Sequence, residues 1–156
     1  MGHWYRLLKM SIFLGMWLPV FSLAGSGDLF YTSPFSKTAV GGYDVVSYFN
    51  ADAQRQGPIL GDRNYETEYG GVMWRFATKE NLALFLSNPE RYLPQYGGYC
   101  AWAVSRGYPA KGDPHHWSLE DGKRYLNYNA DVKKNWARDI PGNIEKGNAN
   151  WTGDLE

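Results

Sequence analysis

The sequence predicts an α+β fold, a small compact domain of short antiparallel β-hairpins packed with short helices. Three observations lead there. Gly70-Gly71 and Asp121-Gly122 each sit between two short strand-like segments, the signature of a two-residue hairpin. A run with helical apolar spacing follows each hairpin. The connections are short, so hairpins and helices alternate within one unit.

The elements follow in order. Residues 1–24 read as a signal peptide. Arg6 and Lys9 supply a positive start, and Met10 to Leu23 is apolar apart from Ser11, Gly15, Pro19 and Ser22. Ser22 and Ala24 place small residues at −3 and −1 of a cleavage after Ala24. The run is short and interrupted for a membrane span, so export without a stable membrane anchor after cleavage is expected, to the periplasm or the exterior. Residues 25–38, rich in Ser, Gly and Thr, read as a flexible tether. Residues 39–156 form the domain. Asp44 precedes Val45, Val46, Tyr48 and Phe49 and suits the cap of a short helical turn. Residues 50–64 read as a loop, and Tyr65–Tyr69 and Val72–Ala77 as the first hairpin. Thr78 caps a helix with Leu82, Phe85 and Leu86 on one face, which ends at Asn88-Pro89. After Gly97-Gly98, Tyr99 to Arg106 reads as a two-turn helix stopped by Gly107. Trp117–Glu120 and Lys123–Asn127 form the second hairpin. Asn129 caps a helix presenting Val132, Trp136 and Ile140 on one face. Pro141 breaks it, and a last helix runs to Asn150. No internal repeat is legible.

The full chain has 16 Lys+Arg and 16 Asp+Glu. Loss of Arg6 and Lys9 with the signal leaves 14 basic residues against 16 acidic ones, a formal charge of −2. That balance argues against a nucleic-acid partner, which calls for a basic surface. Five Trp and eleven Tyr remain after residue 24, so the core should be rich in aromatic residues. No phosphate-binding glycine loop marks a nucleotide cofactor, and no paired carboxylates or nucleophile triad stand out.

Cys100 is the single cysteine and the leading candidate for chemistry. Gly97-Gly98 allows a sharp turn, and a thiol in the first turn of the following helix faces unpaired N–H groups that favour thiolate. Tyr43, Asp44 and Tyr99 are candidate supporting residues. The competing expectation is a small buried thiol between Tyr99 and Trp102. No Cys-x-x-Cys pair exists, so an oxidised Cys100 would be resolved by a partner thiol. For a soft metal such as copper the candidate ligands are Cys100, His115, His116 and Met73.

Three segments resemble the YHS-domain family. Gly41-Gly42-Tyr43-Asp44-Val45-Val46-Ser47-Tyr48-Phe49 resembles its opening. Glu68-Tyr69-Gly70-Gly71-Val72-Met73-Trp74-Arg75-Phe76 is similar to its central hairpin. Phe85, Asn88, Pro89, Glu90, Arg91 and Tyr92 match its helix end. These define a YHS core over residues 39–96, with 97–156 as an extension. Gln95 to Trp102, Asp121-Gly122-Lys123 and Tyr125-Leu126-Asn127 resemble a longer exported subfamily. That resemblance includes members with selenocysteine at the Cys100 position, which implies redox or nucleophilic chemistry there. The family also implies metal binding, through cysteine-rich modules whose ligand positions fall near Asp44, Glu68, Ala77 and Asn81. None of these is a thiol or imidazole here, so the family's metal site is not expected and the fold should form without metal. Three functions remain in view: thiol redox at Cys100 acting on a small electrophile or partner thiol, a copper-type module using Cys100 with His or Met, and a scaffold with an inert thiol.

Overall fold

A computed structural model describes residues 29–151. The proposed signal peptide lies outside these residues. Among the described residues, no helix is long and apolar enough to cross a membrane.

The described residues build six α-helices and two antiparallel hairpins, α+β as the turn sequences imply. A 3-10 turn over Val40–Gly42 and another over Ser47–Phe49 lead to α1, one turn at Ala53–Gln56. Strands β1 (Asp62–Tyr69) and β2 (Val72–Phe76) form the first hairpin. Helix α2 (Lys79–Ser87) follows, its Asn81 N–H bonded to the Thr78 hydroxyl, and then α3 (Pro89–Tyr92). A third 3-10 turn at Gln95–Gly98 leads to α4, one turn at Ala101–Val104. Strands β3 (Asp113–Glu120) and β4 (Lys123–Asn127) form the second hairpin. Helix α5 (Ala130–Trp136) is capped by Asn129, and α6 (Ile140–Asn150) completes the described chain.

Four expectations need correction. Residues 29–38 do not hang free: Phe30 is buried edge-on against Trp74, and the Tyr31 N–H donates to the Gly97 carbonyl. One aromatic residue buries enough apolar surface to hold a Ser-rich segment down. Leu86 is exposed, so α2 buries Phe85 and only part of Leu82. The two-turn helix at Tyr99–Arg106 is a single turn, because Gly107 takes a left-handed φ of 80° and its N–H closes on the Val104 carbonyl. Helix α5 stops at Trp136, and Ile140 starts α6 under an Asp139 cap.

A fifth correction changes the reading of the whole chain: the fold contains an internal repeat. Val40, Gly41 and Gly42 have φ of 52°, 62° and 84°, and Tyr96, Gly97 and Gly98 have 55°, 58° and 87°. A Tyr and then the candidate residue follow in each case, Asp44 or Cys100. The Asp44 N–H donates to the Ile59 carbonyl at 2.8 Å, and the Cys100 N–H to the Ala110 carbonyl at 2.8 Å. A hairpin with the same irregularity comes next: the register shifts between Asp62 and Glu66 in one copy and between Asp113 and Trp117 in the other. Each hairpin then gives a side-chain-capped helix carrying one fully buried ring, Phe85 or Trp136. From the hairpin to that ring the offset is constant at 51 residues (113 minus 62, and 136 minus 85). Gly61 and Gly112 also correspond. A Cβ there would come within 2.5 Å of the Arg75 Cβ and 2.8 Å of the Leu126 Cβ respectively, so both must be glycine.

The core of the first copy draws on the second. Trp117 and Leu126 of the second copy lie in the core cluster of the first, with Val45, Trp74, Phe76 and Phe85. A second cluster gathers Tyr96, Ala101, Val104, Tyr125 and Trp136.

Candidate functional site

The Asp44 carboxylate is fully buried and accepts four hydrogen bonds. Oδ1 takes the N–H groups of Val46 at 2.8 Å and Ser47 at 3.2 Å. Oδ2 takes the Ala77 N–H at 2.8 Å and the Asn81 Nδ2 amide at 2.6 Å. Burying a carboxylate is costly unless donors replace water, and here both oxygens are fully supplied. Asp44 is therefore more than a local cap. It ties the first 3-10 turns to the end of β2 and the first turn of α2.

Cys100 occupies the matching place in the second copy. It is 1% exposed and caps α4, rather than lying within its first turn. Its Sγ lies 3.8 Å from Asn127 Oδ1, an arrangement in which the S–H donates to the amide oxygen. Burial pushes the thiol pKa up. The backbone N–H groups of Ala103, Tyr128 and Trp102, with the charge of Arg106, act in the other direction without reversing the shift. The expectation of a thiolate favoured at neutral pH is thus not met, because desolvation outweighs the donors. The donors nonetheless match those around Asp44. Trp102 and Ala103 stand two and three residues after Cys100, as Val46 and Ser47 do after Asp44. Tyr128 follows the last residue of β4, as Ala77 follows that of β2.

Asn127 is the residue that sequence reasoning missed. It is fully buried, and its Oδ1 also accepts the Trp102 N–H at 3.2 Å, while its Nδ2 has no partner. It stands at the end of a strand whose last four residues, Arg124 to Asn127, are all buried. A buried Asn in such a run could have flagged it. Arg124 is the second omission. Its guanidinium donates to the carbonyls of Val45 at 2.9 Å and Tyr92 at 3.1 Å and lies over the Tyr48 ring at 4.3 Å. Complete burial lowers its pKa to about 10, with Tyr48 and Asp44 pulling the other way.

The other candidates are dispersed. The Tyr99 ring packs edge-on against Tyr31 and at a tilt against Trp151. Tyr43 meets the His115 ring at 5.1 Å. His115 is exposed and held by Asp113, whose Oδ1 lies 2.8 Å from the His115 N–H and 3.1 Å from Nδ1. Asp113 sits below its usual pKa: partial burial raises it, and His115 and His116 together outweigh that. Met73 lies in β2 opposite Glu68. Among the described residues, no group of three or more His, Cys, Asp or Glu side chains could hold a metal ion.

The positions implied for the family's metal ligands can be tested directly. Asp44, Ala77 and Asn81 do meet, while Glu68 is exposed. What meets is a carboxylate saturated by N–H donors. A cation needs free acceptors, so these residues do not fit a metal.

The geometry defines a small α+β domain built from two copies of one hairpin-helix unit, each copy closing a donor-lined cradle. The family model for the YHS domain matches residues 58–96, so the chain carries a YHS domain there, spanning the first hairpin, α2 and α3. No curated protein and no solved structure matches the chain.

Proposed function

We propose that this chain is an exported YHS-domain protein whose working group is the Cys100 thiol, acting in redox chemistry with small oxidants. The observation that carries this reading is the place of Cys100 in the second copy: it stands where Asp44 stands in the first, with the N–H groups of Trp102, Ala103 and Tyr128 at the positions of the Asp44 donors, and Arg106 adds positive charge. A thiol that only fills space needs one weak acceptor, which Asn127 Oδ1 supplies. Donors in this number favour anionic sulfur. Burial sets the pace: Cys100 is 1% exposed with its pKa raised, so the resting group is the protonated thiol and the reading calls for a small oxidant. The test is treatment of folded protein with hydrogen peroxide, followed by trapping of sulfenic acid with dimedone. Labelling of the wild type and none of Cys100→Ser is expected. A fold that excludes peroxide as well would defeat the reading.

One observation favours a second reading, a non-catalytic scaffold. Cys100 is 1% exposed and its pKa is raised by burial. In that case the thiol reacts only when the protein unfolds. The copper reading needs Cys100 beside His or Met, whereas the neighbour that the sulfur hydrogen-bonds is the Asn127 amide. Export rests on the residues before Gly25, and mass spectrometry of the exported protein should find Gly25 at its N-terminus. Recovery of the uncleaved chain from membranes would remove that part.

A further inference from the structure

The geometry points to the Cys100 cradle as an anion site, the second copy of the one that Asp44 fills, with the sulfinate of Cys100 as the group that fits it. The inference deepens the redox reading by naming the oxidised state that the site holds, and it stands on the repeat rather than on reactivity.

Asp44 shows what the cradle holds in the first copy. Oδ1 is bound by the N–H groups two and three residues on, and Oδ2 by the N–H just after the second strand. The second copy has N–H groups at the three matching positions, Trp102, Ala103 and Tyr128, and a sulfur in place of the carboxylate, with the Trp102 N–H held for now by Asn127 Oδ1. A neutral thiol offers these groups little. A cysteine sulfinate carries two oxygens and one negative charge on the atom attached to Cβ, the connectivity of an aspartate carboxylate. One oxygen then meets Trp102 and Ala103, and the other meets Tyr128.

The fourth donor has a counterpart too. In the first copy it is Asn81 Nδ2. In the second copy the Asn127 amide lies against the sulfur, completely buried, with Nδ2 unpartnered. A buried amide N–H without an acceptor is costly. Turning the Asn127 amide over presents Nδ2 to the anion. The Trp102 N–H, now bonded to Oδ1, is released to the anion at the same time. The turn exchanges one set of bonds for another: reduced, Oδ1 accepts from the thiol and Trp102 while Nδ2 is unpaired, and oxidised, Nδ2 donates to the anion while Oδ1 gives up those two donors.

The chemistry balances with a hydroperoxide as oxidant. Cys–SH and ROOH give Cys–SOH and ROH, with the O–O bond broken and sulfur losing two electrons. A second ROOH gives Cys–SO2H and ROH, and the acid loses its proton to become the sulfinate.

The experiment compares thermal unfolding of Cys100→Asp and Cys100→Ser at neutral pH, and in parallel follows peroxide-treated wild type by mass and by melting. A carboxylate placed at an ordinary fully buried position is strongly destabilising. Here Cys100→Asp is expected to unfold cooperatively at a temperature equal to or above that of Cys100→Ser. Unfolding more than ~10 °C below Cys100→Ser, or failure to fold when the Ser variant folds, overturns the anion site. If neither variant folds, the wild type decides. A gain of about 32 Da at Cys100 with an unchanged or higher melting temperature upholds the inference, and oxidation that unfolds the protein, or that occurs only in denaturant, overturns it. If Cys100→Asp is stable while native wild type resists peroxide, the anion site holds and the redox function falls.

Discussion

At Cys100 two effects compete over one atom, and their order sets a pH dependence. Burial raises the thiol pKa, and the surrounding N–H groups reduce the shift without cancelling it. An acid whose pKa is raised by folding stabilises the fold fully below its unfolded value of ~8.5 and loses that contribution as pH rises towards the folded value. Wild type should therefore lose stability relative to Cys100→Ser as pH rises above about 8.5. Denaturation midpoints of both proteins from pH 7 to 10 give the difference directly. A constant difference would show that folding leaves the thiol pKa where it was. Asp44 poses the opposite case, a buried carboxylate with both oxygens occupied. Asp44→Ala leaves four donors without acceptors and should cost at least ~3 kcal/mol, with Asp44→Asn costing less because one acceptor oxygen remains. Equal urea midpoints for wild type and Asp44→Ala would mean that water reaches the cradle.

At the scale of the element, the two capped helices do the same job with different rings. Phe85 stacks on Trp74 at 5.6 Å, and Trp136 lies on Tyr125 at 5.3 Å. Both rings are completely buried. Trp136→Ala and Phe85→Ala should each cost ~3–5 kcal/mol, read as a fall in urea midpoint at unchanged slope. A small change at Trp136 would show that the second core can close over the cavity. These helices, their Thr78 and Asn129 caps and both hairpins were legible in the sequence, because turn and cap chemistry is local. The repeat was not. Its equivalent positions hold Asp and Cys, Phe76 and Asn127, Arg75 and Leu126, and Thr78 and Asn129, which share geometry and not residue type. The Gly-Gly-Tyr triplets and the paired turns were the visible trace. The donor cradles were hidden for the same reason, since they consist mainly of backbone N–H groups, which every sequence carries. The partners across the fold, Asn81 for Asp44 and Asn127 for Cys100, depend on long-range packing that no local spacing encodes.

For the molecule as a whole, the question is whether the YHS segment stands alone. The matched residues 58–96 hold one hairpin and two helices, yet the core they pack into draws on both halves of the chain. Trp117 lies edge-on against Tyr48 at 5.1 Å, and the Tyr48 hydroxyl donates to the Pro114 carbonyl at 2.9 Å. Arg124 reaches from β4 to the Val45 and Tyr92 carbonyls, and its charge is accommodated over the Tyr48 ring. A guanidinium buried this far is held by hydrogen bonds in a fixed fork that lysine cannot reproduce. Arg124→Ala should therefore cost about 3 kcal/mol, from two orphaned carbonyls and a cavity, and Arg124→Lys should recover only part of it. A fragment of residues 25–98 should not fold, since it lacks Trp117, Leu126 and Arg124 from its own interior. No metal should rescue it, because the Asp44 carboxylate is already taken up by N–H donors, the Ala77 N–H and the Asn81 amide among them, and leaves no free acceptor for a cation. Circular dichroism of the fragment during a thermal ramp, with and without zinc, provides the check. A cooperative transition in the fragment alone would make the YHS segment an independent domain with an appended second copy. A transition that appears only with zinc would put a metal back at the Asp44 cradle. With neither, and with the full chain melting in one step, the two copies form a single cooperative unit.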